Sequence, residues 1–148
     1  QSGKLIQWGS PQDVFRNPAS TFAAELSGLK NFFEAELLPE TANGLRKVLV
    51  HGVLLFTQSE LDAGLGKLVI DENQIILSKD MPHTSAQNNL KGHVKQFQMT
   101  SYGFEIEIDC GINLIAYITE YSFERLALTV ESEVYVSFKT SAVRYFTT

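Results

Sequence analysis

From residue 29 to residue 146 the chain alternates apolar and polar positions in short bursts, with glycine, asparagine and aspartate between them. That period of two predicts strands. The clearest burst is residues 104–109, where Phe104, Ile106 and Ile108 share one face and Glu105, Glu107 and Asp109 the other. Residues 133–138 repeat it, with Val134, Val136 and Phe138 inward. Residues 112–119 are apolar on nearly both faces, which predicts a strand covered on each side, by a second subunit if not by this one. Further strands are expected at 32–38, ended by Pro39 and the Asn43-Gly44 turn, and at 46–50 and 53–56, broken at His51-Gly52. Residues 67–70 and 74–78 flank a turn at Asp71-Glu72-Asn73, residues 92–101 turn back at Tyr102-Gly103, and residues 142–146 add a last short strand. Ser122 is read as the cap of a brief helix reaching Leu126. Short, punctuated strands of this kind predict a mostly β barrel or sandwich.

The first 28 residues read differently. A short strand is expected over 3–9. Ser10 then caps a helix with Pro11 at its first position and Asp13 where a capping-box acid belongs. Asn17 and Pro18 repeat the device, opening a helix that sets Phe22, Ala23 and Leu26 on one face and ends at Gly28. With neither a leading Met nor a signal-peptide pattern, an excised or truncated segment is expected.

Charge narrows the chemistry. The net charge is −5, which argues against a general nucleic-acid or acidic-membrane binder, and no apolar run approaches the roughly 20 residues of a membrane span. Residues 105–133 hold seven acids against Arg125 alone, whereas residues 81–104 hold Lys91 and Lys95, and residues 134–148 hold Lys139 and Arg144, with no acid in either stretch. Within those two stretches lie two polar runs. Thr84-Ser85-Ala86-Gln87-Asn88-Asn89-Leu90-Lys91-Gly92 gathers two hydroxyls, three carboxamides and a lysine, and Lys139-Thr140-Ser141 repeats the recipe. Such groups need partners, and donors without acids suit a small oxyanion. The bland alternatives are chance segregation of charge, Asn88 fixing a turn through its own backbone, and Lys91 and Lys139 lying outward in solvent. Glu105, Glu107 and Asp109 on one face read as the wet side of a sheet, with no His or Cys at ligand spacing, so no metal is expected. The single cysteine, Cys110, excludes an internal disulfide, suits a reducing compartment and has no nearby His to activate it.

Two resemblances follow from the motifs. The run from Gly3 to Gly28, with Gln7, Gly9, Ser10, Pro11, Asp13, Val14, Phe15, Pro18, Ser20, Phe22 and Ala24 in place, resembles the segment that closes the nucleotide-binding domain of import-type ABC-transporter ATP-binding subunits. The resemblance implies a C-terminal regulatory domain following an ATP site that lies upstream. Gly66-Lys67 is followed by Leu68, and Leu61 stands where the first P-loop glycine belongs, so no P-loop is present and the segment is expected not to hydrolyse ATP. Relatives read Arg-Pro after the isoleucine at 70, where this chain has Asp71-Glu72.

Residues 84–94, 109–128 and 133–143 resemble, in order, the three signatures of molybdate-binding Mop domains, also grouped with TOBE domains. That resemblance implies OB-like β-barrel units, and an organisation of 1–28 as the tail of the nucleotide-binding domain, 29–80 as a first TOBE-like β subdomain and 81–148 as a Mop-like barrel. It implies an oxyanion ligand such as molybdate, tungstate or sulfate, with no other cofactor, held by Ser85, Ala86, Gln87, Asn88, Lys139, Thr140 and Ser141. Gln87 replaces the family's arginine and removes a fixed charge with its fork of donors. The implied partners are a second copy through the Mop-like unit, the parent ATPase domain and the transporter's membrane subunits. The implied location is cytoplasmic, peripheral to the membrane. In relatives, oxyanion binding between two such domains holds the ATPase subunits apart and stops uptake. The rival reading is a TOBE domain that only dimerises or stabilises the ATPase subunits of an importer of another solute. A single-stranded nucleic-acid binder on an OB-like barrel is a third, disfavoured by the negative charge.

Overall fold

The computed structural model describes residues 30–42, 45–82 and 85–147. The strand expected over 3–9, the two helices before Gly28, the Asn43-Gly44 turn and Thr84 lie outside the described residues. Among the described residues, ten strands form two five-stranded sheets. They are β1 (Phe32–Ala42), β2 (Leu45–Val50), β3 (Val53–Thr57), β4 (Gly64–Ile70), β5 (Ile76–Ser78), β6 (Asn88–Met99), β7 (Phe104–Asp109), β8 (Asn113–Ile118), β9 (Glu133–Phe138) and β10 (Val143–Thr147). The first sheet runs β10-β4-β1-β2-β3 and the second β5-β9-β6-β7-β8. The mostly β architecture read from the alternation, and the OB-like form that the family resemblance implied, are therefore the ones found.

The two sheets are one pattern used twice. A long strand starts each unit and pairs along its first half with one neighbour and along its second half with another: β1 with β4 then β2, and β6 with β9 then β7. A 3-10 turn follows β4 at Glu72–Gln74 and follows β9 at Thr140–Ala142. The short strand after each turn crosses over. Thus β5 pairs with β9 at the edge of the second sheet, and β10 pairs with β4 at the edge of the first. Each half of the chain completes the other's sheet, and one large core that includes Leu37, Val48, Leu55, Leu68, Ile106, Ile108, Val136 and Phe138 fills the interior, with a small second cluster of Val69, Phe32 and Phe146 apart from it.

Two buried asparagines lock the exchange. Asn88 begins β6 and uses its side chain as a missing strand neighbour: the Phe56 N–H donates to its Oδ1 at 2.7 Å, and its Nδ2 donates to the Phe56 carbonyl at 2.9 Å. Phe56 lies on β3, the edge of the other sheet. Asn31, just before β1, treats the opposite edge in the same way. It accepts from Ile115 N–H at 2.7 Å and donates to the Ile115 carbonyl at 2.8 Å and the Ile70 carbonyl at 3.1 Å. Open edges carry unpaired backbone groups, and these amides satisfy one pair at each edge. Thr57 Oγ1 adds a bond of 2.8 Å to the Val143 carbonyl, joining β3 to β10.

Local chemistry explains the rest. Val50 pairs with Val53 across His51 and Gly52, both at positive φ, which is the mirror-image turn that a tight hairpin requires. Gly92 has no room for a side chain, since a Cβ would sit 2.5 Å from the Asp109 carbonyl oxygen. Three expectations are corrected. Pro39 does not end the first strand, because β1 continues to Ala42 through an irregular register between Leu37 and Thr41 that absorbs a residue without an N–H. The helix Glu120–Leu126 is capped by Thr119, whose Oγ1 accepts from the Ser122 N–H, and not by Ser122. Residues 74–78 are only half strand, since the first of them closes the 3-10 turn.

Asn88→Ala leaves both Phe56 backbone groups without this partner and lowers unfolding free energy by about 2–6 kcal/mol, at roughly 1–3 kcal/mol per orphaned group. Asn31→Ala has an effect at least as large. Urea denaturation measures both; a loss under ~0.5 kcal/mol for either contradicts the clamp.

Candidate functional site

The β6–β9 ladder ends with Asn88 opposite Phe138, so residues 85–87 and 139–141 leave neighbouring strands at the same end of the second sheet. Two polar runs separated by about fifty residues of sequence thereby come side by side. Asn89 holds the first run in place: its Nδ2 donates to the Ala86 carbonyl at 3.0 Å and its Oδ1 accepts from Ser137 Oγ at 2.8 Å. The second run is folded tightly into its 3-10 turn by the Ala142 N–H, which donates to the Lys139 carbonyl at 2.9 Å.

The predicted residues divide into two groups. Ala86, Asn88 and Thr140 are buried, whereas Ser85, Gln87, Lys139 and Ser141 are exposed. Ala86 and Lys139 line the same open depression of about 290 Å³, together with Asn73, Gln74 and Ile76. Asn88 is built into the barrel: its carboxamide bonds Phe56, so it fixes where the 85–87 segment starts instead of turning on its own backbone. Asn73, Gln74 and Ile76 were not among the sequence candidates. Their signal lay in the Asp71-Glu72-Asn73 turn, which reads as punctuation until the exchange of β5 carries it beside β9.

Electrostatics separates this depression from two other hollows, and the presence of Lys139 separates it from the adjoining one of about 250 Å³ lined by Ile75, Ile76, Thr119 and Ser122 among others. Strand pairing mixes charges that are segregated along the chain. Lys91 meets Glu133 at 3.6 Å and Lys95 meets Glu107 at 3.8 Å, so the acid-free stretch around them is not acid-free in space. Among the described residues, by contrast, Lys139 makes no ion pair and no carboxylate lines its depression. Two other hollows carry acids: one of about 110 Å³ includes Glu105 and Glu107, and one of about 350 Å³ includes Glu131 and Glu133. The first repels an anion, and in the second, which Lys91 also lines, the two acids offset the lysine.

The outer face of β7 is a polar ladder. Gln96 and Gln98 on β6 donate to Glu107 and Glu105, and the Gly111 N–H donates to Asp109 Oδ1 at 3.1 Å. The Gln96 amide, then the Asn113 amide and Lys95, hold the Glu107 carboxyl below its ordinary 4.5, against the opposing pull of burial. Burial pushes the Cys110 thiol up to about 11, aided by Asp109 and opposed by its bond to the Ile112 carbonyl, which leaves it a poor nucleophile at neutral pH.

Residues 84–145 match the TOBE domain model. Over 147 residues the chain is 31% identical to the molybdate/tungstate import ATP-binding protein WtpC of Pyrococcus abyssi, covering 97% of this chain and 40% of that protein. The WtpC of Pyrococcus horikoshii is likewise 31% identical over 145 residues. The chain thus spans about two fifths of the length of these curated relatives. Among solved structures, the cytoplasmic molybdate-binding protein ModG with molybdate bound superposes with a TM-score of 0.69 at 20% identity, covering 82% of this chain and 98% of that one, which is a likeness of fold.

Because the Glu107 carboxyl is stabilised as the anion on folding, it contributes stability above its ordinary pKa, and that contribution is lost as pH falls through the lowered folded value. Gln96→Ala raises the Glu107 pKa toward 4.5. Side-chain NMR titration of wild type and variant checks this; an unchanged Glu107 titration contradicts it.

Proposed function

We propose, for a chain that carries a TOBE domain and is homologous to the C-terminal part of the molybdate/tungstate import ATP-binding proteins, a regulatory role in which it binds an oxyanion and reports it to the transporter. The ligand is molybdate or tungstate, with sulfate as the nearest competitor in shape and charge. One observation carries the reading: Ala86 and Lys139, from two distant runs, face one depression that no carboxylate lines among the described residues.

The chemistry follows from the ligand. A tetrahedral dianion presents only acceptors, so its site must supply donors. Backbone N–H groups of 85–87, the hydroxyls of Ser85, Thr140 and Ser141 and the ammonium of Lys139 are those donors. Hydrogen bonds to charged groups contribute roughly 1.5–3 kcal/mol each, so three or four offset desolvation and reach about micromolar affinity. Asn88 acts through position, by anchoring the start of β6. Gln87 contributes a neutral amide where relatives carry arginine, which lowers affinity relative to them.

In this reading residues 1–28 are the tail of the ATPase domain, and two copies associate through the Mop-like unit of 81–148. The oxyanion at or near that contact holds the attached ATPase subunits apart, so that uptake stops when the solute is abundant. The segment itself hydrolyses no ATP. It works on the cytoplasmic face, attached through its parent ATPase domain to the membrane subunits; no helix among the described residues is long and apolar enough to cross the membrane itself. Gln87, and Asp71-Glu72 in place of Arg-Pro, favour a second reading, a TOBE domain that only pairs ATPase subunits.

Isothermal titration separates the two. The oxyanion reading predicts heat and a roughly micromolar Kd with molybdate or tungstate, and at least tenfold weaker binding in Lys139→Ala. No heat with molybdate, tungstate or sulfate, from a protein that is dimeric by light scattering, leaves the pairing reading alone.

A further inference from the structure

The depression that holds Ala86 and Lys139 is lined on its other side by the first half of the chain. Asn73 and Gln74 close the 3-10 turn after β4, and Ile76 begins β5, whose pairing with Ser137 sets this segment beside the strand that leads into Lys139. The turn is held rigidly. Asp71 Oδ1 accepts from the Asn73 N–H at 2.9 Å, Asp71 Oδ2 accepts from Gln74 Nε2 at 3.2 Å, and the Gln74 N–H donates to the Asp71 carbonyl at 3.0 Å. The Asp71 N–H in turn donates to the Ala142 carbonyl at 3.1 Å, tying this turn to the equivalent turn of the second half.

We infer that Asn73 and Gln74 are ligand-contacting residues of the oxyanion pocket, supplying from the first half of the chain the donors that Gln87 no longer supplies as an arginine. The inference rests on the oxyanion reading above. A carboxamide has two N–H donors. Gln74 gives one to Asp71 and keeps the other, and the Asn73 carboxamide has no partner among the described residues. The Asp71 carboxylate is not among the residues lining the depression, and its two oxygens accept from the Asn73 N–H and Gln74 Nε2, so it orients Gln74. Ile76, 53% exposed, supplies an apolar wall. The pocket is then a mixed one, with an ammonium and hydroxyls from one half and neutral amides from the other. It exists only because β5 is exchanged between sheets, and it needs both halves of a single chain before a second copy is considered.

The test is isothermal titration of the whole chain with sodium molybdate and sodium tungstate. Asn73→Ala, which leaves the Gln74–Asp71 contact intact, is expected to raise Kd several-fold, and N73A/Q74A to raise it at least tenfold with an unchanged far-UV circular dichroism spectrum. N73D/Q74E, of the same shape but carrying acids in place of donors, is expected to abolish detectable binding. If wild type binds and Lys139→Ala weakens it while N73A/Q74A and N73D/Q74E both keep the wild-type Kd within twofold, the inference is overturned and the oxyanion reading stands. If wild type binds neither salt, the oxyanion reading falls and takes this inference with it.

Discussion

Two carboxamides hold this molecule in its shape. Asn31, just before the long strand of one half, and Asn88, at the start of the long strand of the other, each reach across to pair with a backbone residue on the edge strand of the opposite half, Ile115 and Phe56. A side chain that copies the donor–acceptor pair of a peptide group can finish an edge where no further strand exists. Buried as they are, these amides must find such partners or destabilise the fold, which makes the arrangement a strong determinant of register between the halves. The exchange of β5 and β10 reinforces it through the backbone, so neither half completes its sheet alone.

The proposed function depends on that constraint. The Asn88 clamp and the Asn89 bonds to Ala86 and Ser137 set residues 85–87 beside residues 139–141. The crossing of β5 brings Asn73 and Gln74 to the same depression. What makes the spot fit for an anion is relative: the lysines on β6 are matched by acids on neighbouring strands, and Lys139 has no such match among the described residues. Charge read along the chain misleads at Lys91 and Lys95, because antiparallel pairing sets residues far apart in sequence against each other.

Strict alternation made β7 and β9 legible, and His51-Gly52 marked its hairpin, because those signals are local. The motif resemblance brought the two polar runs into one hypothesis. The remainder was hidden by non-local physics. A strand of three residues, Ile76–Ser78, shows no period, and nothing near it in sequence says that its partner is β9. Pro39 looked like a stop because a proline normally removes a ladder bond, and the register irregularity at that point removes the need for one. One signal was present and missed. Asn31, Phe33, Ala35 and Leu37 match Asn88, Leu90, Gly92 and Val94 in spacing, and that repeat announces both the second barrel unit and the second clamp.

The most direct measurement is a crystal of the chain grown with tungstate and examined at the tungsten absorption edge, where the heavy atom marks its own position. The account predicts an anomalous peak within hydrogen-bonding reach of Lys139 and the 85–87 backbone, in one copy or at the contact of two. A peak seated elsewhere, or none at saturating tungstate, contradicts it.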